Sequence, residues 1–337
     1  MDTKRSERDH FRRLRFGDGM KMFRAFDRQQ SVALDATEES WRGLIAAEDH
    51  YRRRRGSVVL DHKGRVLESS YPGGWPPRRQ EQIYPDDPAA YKKEFDDRRE
   101  AAKQALQEAK AIVARQARIN VALEINRAPT SLCDVLRTLE RCGVIDDFVI
   151  KSRHAVLGYE VAAKGCVGLN ILRDNPPIEF LARRSLSEEE LLGVLQFGDK
   201  TFDLREGPSP TAVNSAGCVV VMSNLPPGGV IDEEPMLDDE AAPHWGAVEA
   251  IVIDRKGYPA RMRAIDPRKF ARNLWIKSIV DGNTPEGRHA LEREFRELCA
   301  LVFGELQTPI DRANFANLFL RDGDRMLDSF LQALHGG

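Results

Sequence analysis

Ser152-Arg153-His154-Ala155-Val156-Leu157-Gly158-Tyr159-Glu160-Val161-Ala162-Ala163-Lys164-Gly165 is the stretch on which the fold turns, because of what flanks it. It lies between two β-branched runs, Val144 to Ile150 and Val167 to Leu172, that read as strands. Further strands are expected at Cys218 to Met222, Val248 to Ile253 and Arg261 to Ile265, with Asp254 to Tyr258 as a turn between the last two. Upstream the texture is helical. Ala89 to about Arg127 is rich in Ala, Lys, Glu and Arg, and Leu106, Ala109, Val113 and Ala117 step by three or four residues, which predicts one long amphipathic helix. A second follows, with Thr130 or Ser131 as cap, Leu132, Val135, Leu136 and Leu139 as its apolar face, and Gly143 at its end. The fold class is therefore α+β, a mixed β-sheet core flanked by helices.

Farther out, Met1 to Arg54 reads as helical, with Phe11, Leu14, Phe23, Phe26, Trp41, Leu44 and Ile45 at spacings that share a helix face. Ser57 to Asp61 and Arg65 to Ser70 predict a hairpin around His62-Lys63-Gly64. Tyr71 to Pro88, with five prolines and two glycines, predicts a loop. Helices are expected at Pro267 to Val280, Glu286 to Phe303 and Asp311 to Leu334, and Pro226 to Pro243 reads as an acidic loop. The organisation expected is a mainly helical N-terminal region with a hairpin (1–128), the α+β core (129–280) and a helical C-terminal region (281–337).

With 337 residues, 42% of them hydrophobic, the chain can bury a sizeable core. No run reaches the roughly 18 apolar residues that span a bilayer, and Met1 to Arg15 is charged, so a cytoplasmic protein without membrane contact is expected. Five scattered cysteines, with no Cys-x-x-Cys, suggest neither a disulfide framework nor a zinc site and read as buried small apolar residues. The net charge of -2 hides a basic first third: Arg12, Arg13, Arg15, Arg52, Arg53, Arg54 and Arg55 are candidate nucleic-acid contacts. Asp18, Asp27, Glu48 and Asp49 interleave with them, which also fits a solvated mixed-charge face.

No phosphate-binding Gly-x-x-x-x-Gly-Lys, Gly-x-Gly-x-x-Gly, His-Glu-x-x-His or Gly-x-Ser-x-Gly is present, and the seven histidines lack ligand spacing. What stands out is a series of segments in fixed order: the stretch quoted above, then Ala182-Arg183-Arg184, Gly198-Asp199-Lys200-Thr201-Phe202, Ala212-Val213-Asn214 through Gly217, Ala242-Pro243, and Asp266-Pro267-Arg268-Lys269-Phe270-Ala271. In that order they resemble a bacterial family of polymerase-β-like nucleotidyltransferases, over roughly Gly56 to Val302.

The resemblance implies a nucleotidyltransferase-type core in which a Gly-Ser or Gly-Thr opens the first helix, an Asp-x-Asp sits on the next strand and a third Asp on a later one. Such carboxylates hold two magnesium ions that bridge nucleotide phosphates. In this chain the first motif falls on Ser152 and Arg153, the Asp-x-Asp on about Asn175-Pro176-Pro177, and the third acid on about Val221. None can bind magnesium in that role. Asp174 and Glu179 flank the second motif, but positions i and i+5 of a strand face opposite ways. Loss of metal also favours loss of the remaining carboxylates, since clustered charges are costly to desolvate.

The resemblance thus implies a nucleotidyltransferase-fold protein that has lost metal-dependent catalysis and acts as a binding or regulatory protein, needing no cofactor, with a protein or nucleic acid as partner. Ser152, Arg153, Lys164, Arg173, Arg183 and Arg184 are candidates for an anion-binding cleft, while Tyr159 and Glu160 read as packing and capping residues. Two alternatives stay open. One is an active transferase that uses Mg2+ and a nucleoside triphosphate through Asp174, Glu179 and Asp199, passing a nucleotide to RNA, protein or a small acceptor. The other is a nucleic-acid-binding protein that works through its basic N-terminal helices.

Overall fold

Two long helices with buried residues at helical spacing run antiparallel to one another. Helix α1 (Arg28–Arg54) buries Ala33, Leu34, Thr37, Trp41 and Leu44, and α2 (Pro88–Ala122) buries Ala102, Leu106, Val113, Ala117 and Asn120. Each buried leucine of such a seam contributes roughly 1.5–3 kcal/mol. Polar groups within the seam are matched: Thr37 Oγ1 donates to Asn120 Oδ1 at 2.9 Å, and Gln116 Nε2 to the Ala33 carbonyl at 3.1 Å. The Asp87 carboxylate starts α2 by accepting from Ala89 and Ala90 N–H, both at 3.0 Å, with Pro88 at a position that needs no N–H. The computed structural model describes residues 23–60, 65–70, 79–167, 176–182, 187–207, 209–224, 247–280 and 328–332.

The chain forms two compact units, one of residues 28–144 and 253–260, the other of 1–27, 145–252 and 261–337. These limits differ from the regions 1–128, 129–280 and 281–337 expected from composition. Helix α3 (Thr130–Arg141) groups with α1 and α2 because its buried face, Leu132, Cys133, Val135, Leu136 and Leu139, belongs to the helical unit.

Within the helical unit, β2 (Gly56–Leu60), β3 (Val66–Ser70) and β4 (Arg79–Ile83) make an antiparallel sheet. The β2–β3 pair is the hairpin expected; its 61–64 turn lies outside the described residues. Strand β4 was expected to be loop. Its sequence, Arg-Gln-Glu-Gln-Ile, lacks an apolar run, and pairing with the free edge of β3 makes it a strand. Helix α3 follows Pro129 without a side-chain cap, rather than being capped by Thr130 or Ser131, and Gly143, at φ 71°, ends it as expected.

The 253–260 tip is built into this unit through buried polar contacts. Asp254, 1% exposed, accepts on Oδ1 from Lys256 N–H (2.8 Å) and Tyr258 N–H (2.9 Å), closing the expected turn, and on Oδ2 from Arg137 (2.9 Å). Asn120 Nδ2 donates to the Gly257 carbonyl at 2.9 Å, and Ala128 N–H to Ile253 at 2.8 Å. Gly257 has φ 88°, and a Cβ there would overlap the Ala117 carbonyl of α2.

The second unit is centred on a seven-stranded mixed sheet with the order β11 (Val248–Ile253), β12 (Pro259–Ala264), β5 (Phe148–Ile150), β7 (Ile178–Ala182), β10 (Val219–Asn224), β9 (Thr211–Val213), β8 (Asp203–Arg205). Strand β7 is antiparallel to β5 and parallel to β10. One sheet face is core: Ile178, Phe180, Ala182, Val220 and Met222 are buried, with Phe148 and Phe180 edge to face at 5.5 Å. Helix α4 (Ala155–Ala162) presents Gly158 towards Met262 and Ala264, and the Tyr159 hydroxyl donates to the Ile265 carbonyl at 2.7 Å.

Some expected boundaries move. Phe23, expected on a helix, lies on β1 (Phe23–Ala25), because β6 (Gly165–Val167) offers it an antiparallel edge; residues 1–22 are outside the described set. Only the end of Val144 to Ile150 is strand, since Ile145–Asp147 forms a 3-10 turn. Helix α6 (Pro267–Val280) is as expected, and its preceding Asp266 accepts from Arg268 N–H at 2.8 Å. Of the later helices, residues 328–332 are described and helical, with Phe330 packed on Trp275 at 5.4 Å. Among the described residues no helix is long and apolar enough to cross a membrane.

Gly257→Ala combines a positive φ with a backbone overlap. It is expected to destabilise the helical unit by about 3 kcal/mol, seen as an earlier loss of helical circular dichroism in urea. An unchanged midpoint would show that the tip is not clamped as described.

Candidate functional site

Alternation along β7 and β10 places one set of side chains in the core and the other on the opposite face. The register aligns Val221 with Glu179 across the parallel pair and with Thr211 across the antiparallel one. Lys151, just past β5, donates its N–H to the Glu179 carbonyl at 3.0 Å. Thr211, Val221, Glu179 and Lys151 therefore form one transverse row. The Lys151 ammonium lies 3.9 Å from Glu179 Oε2 and donates to Ser223 Oγ at 2.8 Å. With 32% and 42% of their side-chain surfaces exposed, this ion pair contributes under about 1 kcal/mol. Its position matters more than its strength: the cation lies against the one carboxylate of β7.

The turn that follows Lys151 is tightly built. Ser152 and His154 are buried, with Ser152 Oγ 3.1 Å from His154 Nδ1, and the Ser152 carbonyl accepts from Ala155 N–H at 2.9 Å. Burial pushes the His154 imidazole down to about 4, so it is neutral at pH 7. Arg153 precedes α4 and Lys164, at φ 49°, follows it, so the two stand at opposite ends of a helix about 12 Å long. Arg173, Asp174, Asn175, Arg183 and Arg184 lie outside the described residues.

Asp199 stands apart from this row, beyond α5 (Glu188–Gly198). Its Oδ1 accepts from Thr201 N–H (2.9 Å) and Thr201 Oγ1 (2.7 Å), and its Oδ2 from Asn214 Nδ2 (2.9 Å). The Thr201 hydroxyl, then its N–H, then Asn214 hold the carboxyl below its ordinary range. Asn214 Oδ1 in turn accepts from Ala216 and Cys218 N–H at 3.1 and 2.8 Å. Asp199, Thr201 and Asn214 thus join the α5–β8 turn to the β9–β10 turn, which gives these motif residues a structural role. Glu160, buried on α4, accepts from Val167 N–H at 2.8 Å, and Tyr159 is fully buried, so both pack and cap as expected. Cys133, Cys166 and Cys218 are buried and Cys142 is half-buried.

The arginines 52 to 55 lie at and just past the end of α1, while Arg12, Arg13 and Arg15 are outside the described residues. Among the described residues, no three His, Cys, Asp or Glu side chains are placed to share a metal ion. Lys151 and Ser223 were not singled out in the sequence, since only strand register reveals that they meet. No family model, curated protein or solved structure matches the chain.

The pH behaviour of His154 provides a check on this turn. Its folded value lies below its ordinary 6.5, so the unfolded chain takes up the proton first, and stability present at pH 7 is lost as pH falls from 6.5 towards 4. Urea unfolding at pH 7 and pH 5 is expected to differ by about 2 kcal/mol from this group. His154→Gln should flatten that limb, and an equal acid slope in both proteins would contradict a buried neutral histidine.

Proposed function

We propose that this is a nucleotidyltransferase-fold protein that has lost metal-dependent catalysis and acts as a binding or regulatory protein. The observation that carries this reading is the row Val221, Glu179, Lys151. A two-magnesium centre needs several oxygen ligands on one face, within reach of ions roughly 3.5–4 Å apart. Here the neighbour of Glu179 on β10 is the apolar Val221, and Pro177, which offers no side-chain oxygen, stands two residues before Glu179. The remaining carboxylate faces an ammonium, which repels a second cation from the same place. The described residues of this face do not fit a magnesium pair.

Such a face can still bind. Lys151 and Ser223 supply donors, Glu179 an acceptor, and Leu181 and Val221 half-exposed apolar surface. That mixture suits a protein segment or a nucleotide held without metal. Expected with any of the four ribonucleoside triphosphates and Mg2+ or Mn2+ is no pyrophosphate release above that of Glu179→Gln. Release by the natural protein that disappears in Glu179→Gln would overturn the reading and favour an active transferase.

A further inference from the structure

We propose that the solvent face of α2 is a self-association surface, on which a second copy of this chain docks its own α2 antiparallel to the first. Ala105, Glu108, Ile112, Arg115 and Ile119 follow one another at alternating spacings of three and four residues. With successive residues about 100° apart they fall within an arc of about 80°, on the side of the helix roughly opposite the buried row Leu106, Val113 and Ala117. All five are exposed, Ile112 by 46% and Ile119 by 42%.

Single exposed isoleucines are ordinary on a protein surface. The charges set between them are not explained in that way. Nearer the start of α2 the exposed charges pair within the helix, Arg98 with Glu94, Arg99 with Asp96 and Lys103 with Glu100, each at three or four residues. Glu108 and Arg115 stand seven residues apart, about 10 Å along the axis, a spacing at which helix side chains are not direct neighbours. Neither has an ion-pair partner among the described residues.

Antiparallel docking supplies both partners. Turning the segment end for end about Ile112 brings Ile112 against Ile112, Ala105 level with Ile119 of the second copy, and Glu108 within one residue, about 1.5 Å, of the level of Arg115 of the second copy. The two-fold axis repeats each contact, so two ion pairs flank the isoleucines and small Ala105 leaves room for Ile119. Parallel docking would set Glu108 against Glu108 and Arg115 against Arg115, so the charges select the antiparallel arrangement. Of the other charges between residues 105 and 119, Lys110 lies on the far side of the helix from Ile112. Arg118 stands at the rim, about 60° round from Arg115 and within two residues of the level of Glu108 of the second copy. A pattern that is its own complement under a two-fold turn fits a second copy better than an unrelated partner. The face belongs to the helical unit and is independent of the metal chemistry at the sheet face.

Sedimentation equilibrium of the full chain between about 1 and 200 μM tests it, and the weight-average mass is expected to rise towards twice that of one chain. Glu108→Arg, which sets like charges together at both ends of the contact, should raise the dissociation constant at least about 10-fold, as should Arg115→Glu. Glu108→Arg/Arg115→Glu, which exchanges the two charges, should bring it back to within about three-fold of the natural protein. An equimolar mixture of the two single variants should associate more tightly than either alone. Lys110→Glu should change the dissociation constant less than about two-fold. Circular dichroism should show equal helix content in all variants. The mass of one chain at every concentration, the result if this face meets a different protein, would overturn the proposal. So would an association that survives both single variants, or one that the exchanged pair does not restore.

Discussion

The parallel register of β7 with β10 is the constraint on which the sheet unit depends. With Ile178 beside Val220 and Phe180 beside Met222, four apolar side chains enter the core together. A slip of β7 by one residue would place Glu179 inside and expose Ile178 and Phe180. Burying an unpaired carboxylate while losing apolar burial opposes that slip from both sides. The composition of the opposite face is then no longer free: Glu179 must stand beside Val221, and β5 must deliver Lys151 alongside them.

The helical unit depends on a different kind of constraint. Residues 253–260 come from far along the chain, yet their polar groups are matched by α2 and α3. Asp254 and Arg137 are both largely removed from water, so loss of Arg137 would leave the buried Asp254 carboxylate without its cation, a cost larger than the net gain from the pair, whereas Arg137 keeps Asp134 as a second partner. Asn120 has a comparable position between two helices and the tip, accepting from Thr37 and donating to Gly257. These contacts specify one arrangement of the unit more than they add to its stability.

Charge is used differently at the two surfaces of interest. On the sheet face a single cation is set against a single anion, which lowers the local field and leaves a mildly polar surface. At the end of α1, Arg52, Arg53 and Arg54 stand in the last turn, where they complement the negative end of the helix dipole. The first arrangement opposes a further cation at the same place, and the second stabilises the end of a helix. These surfaces belong to different units, so each can be altered by substitution without touching the residues of the other.

Much of the local structure was legible in the sequence. The 3.6-residue spacing of Leu106, Val113 and Ala117, the Asp254 to Tyr258 turn, the β2–β3 hairpin and the helix after Asp266-Pro267 all follow from patterns within a few residues. An apolar Val221 on a strand was equally readable, although it is half-exposed and only its neighbours Val220 and Met222 are buried. Strands β1 and β4 were not, because Phe23–Ala25 and Arg79–Ile83 have weak patterns of their own and become strands only through the edges that pair with them. The same limit applies to the sites. The residue types at 179 and 221 were visible in the chain, but their adjacency, the approach of Lys151 and Ser223, the structural use of Asp199, and the approach of Arg99 to Gly56 and of Arg141 to Glu48 depend on register and helix packing. Local spacing is set by dihedral preferences that act over one or two turns, whereas these meetings join residues tens of positions apart and exist only once the apolar faces have chosen their partners.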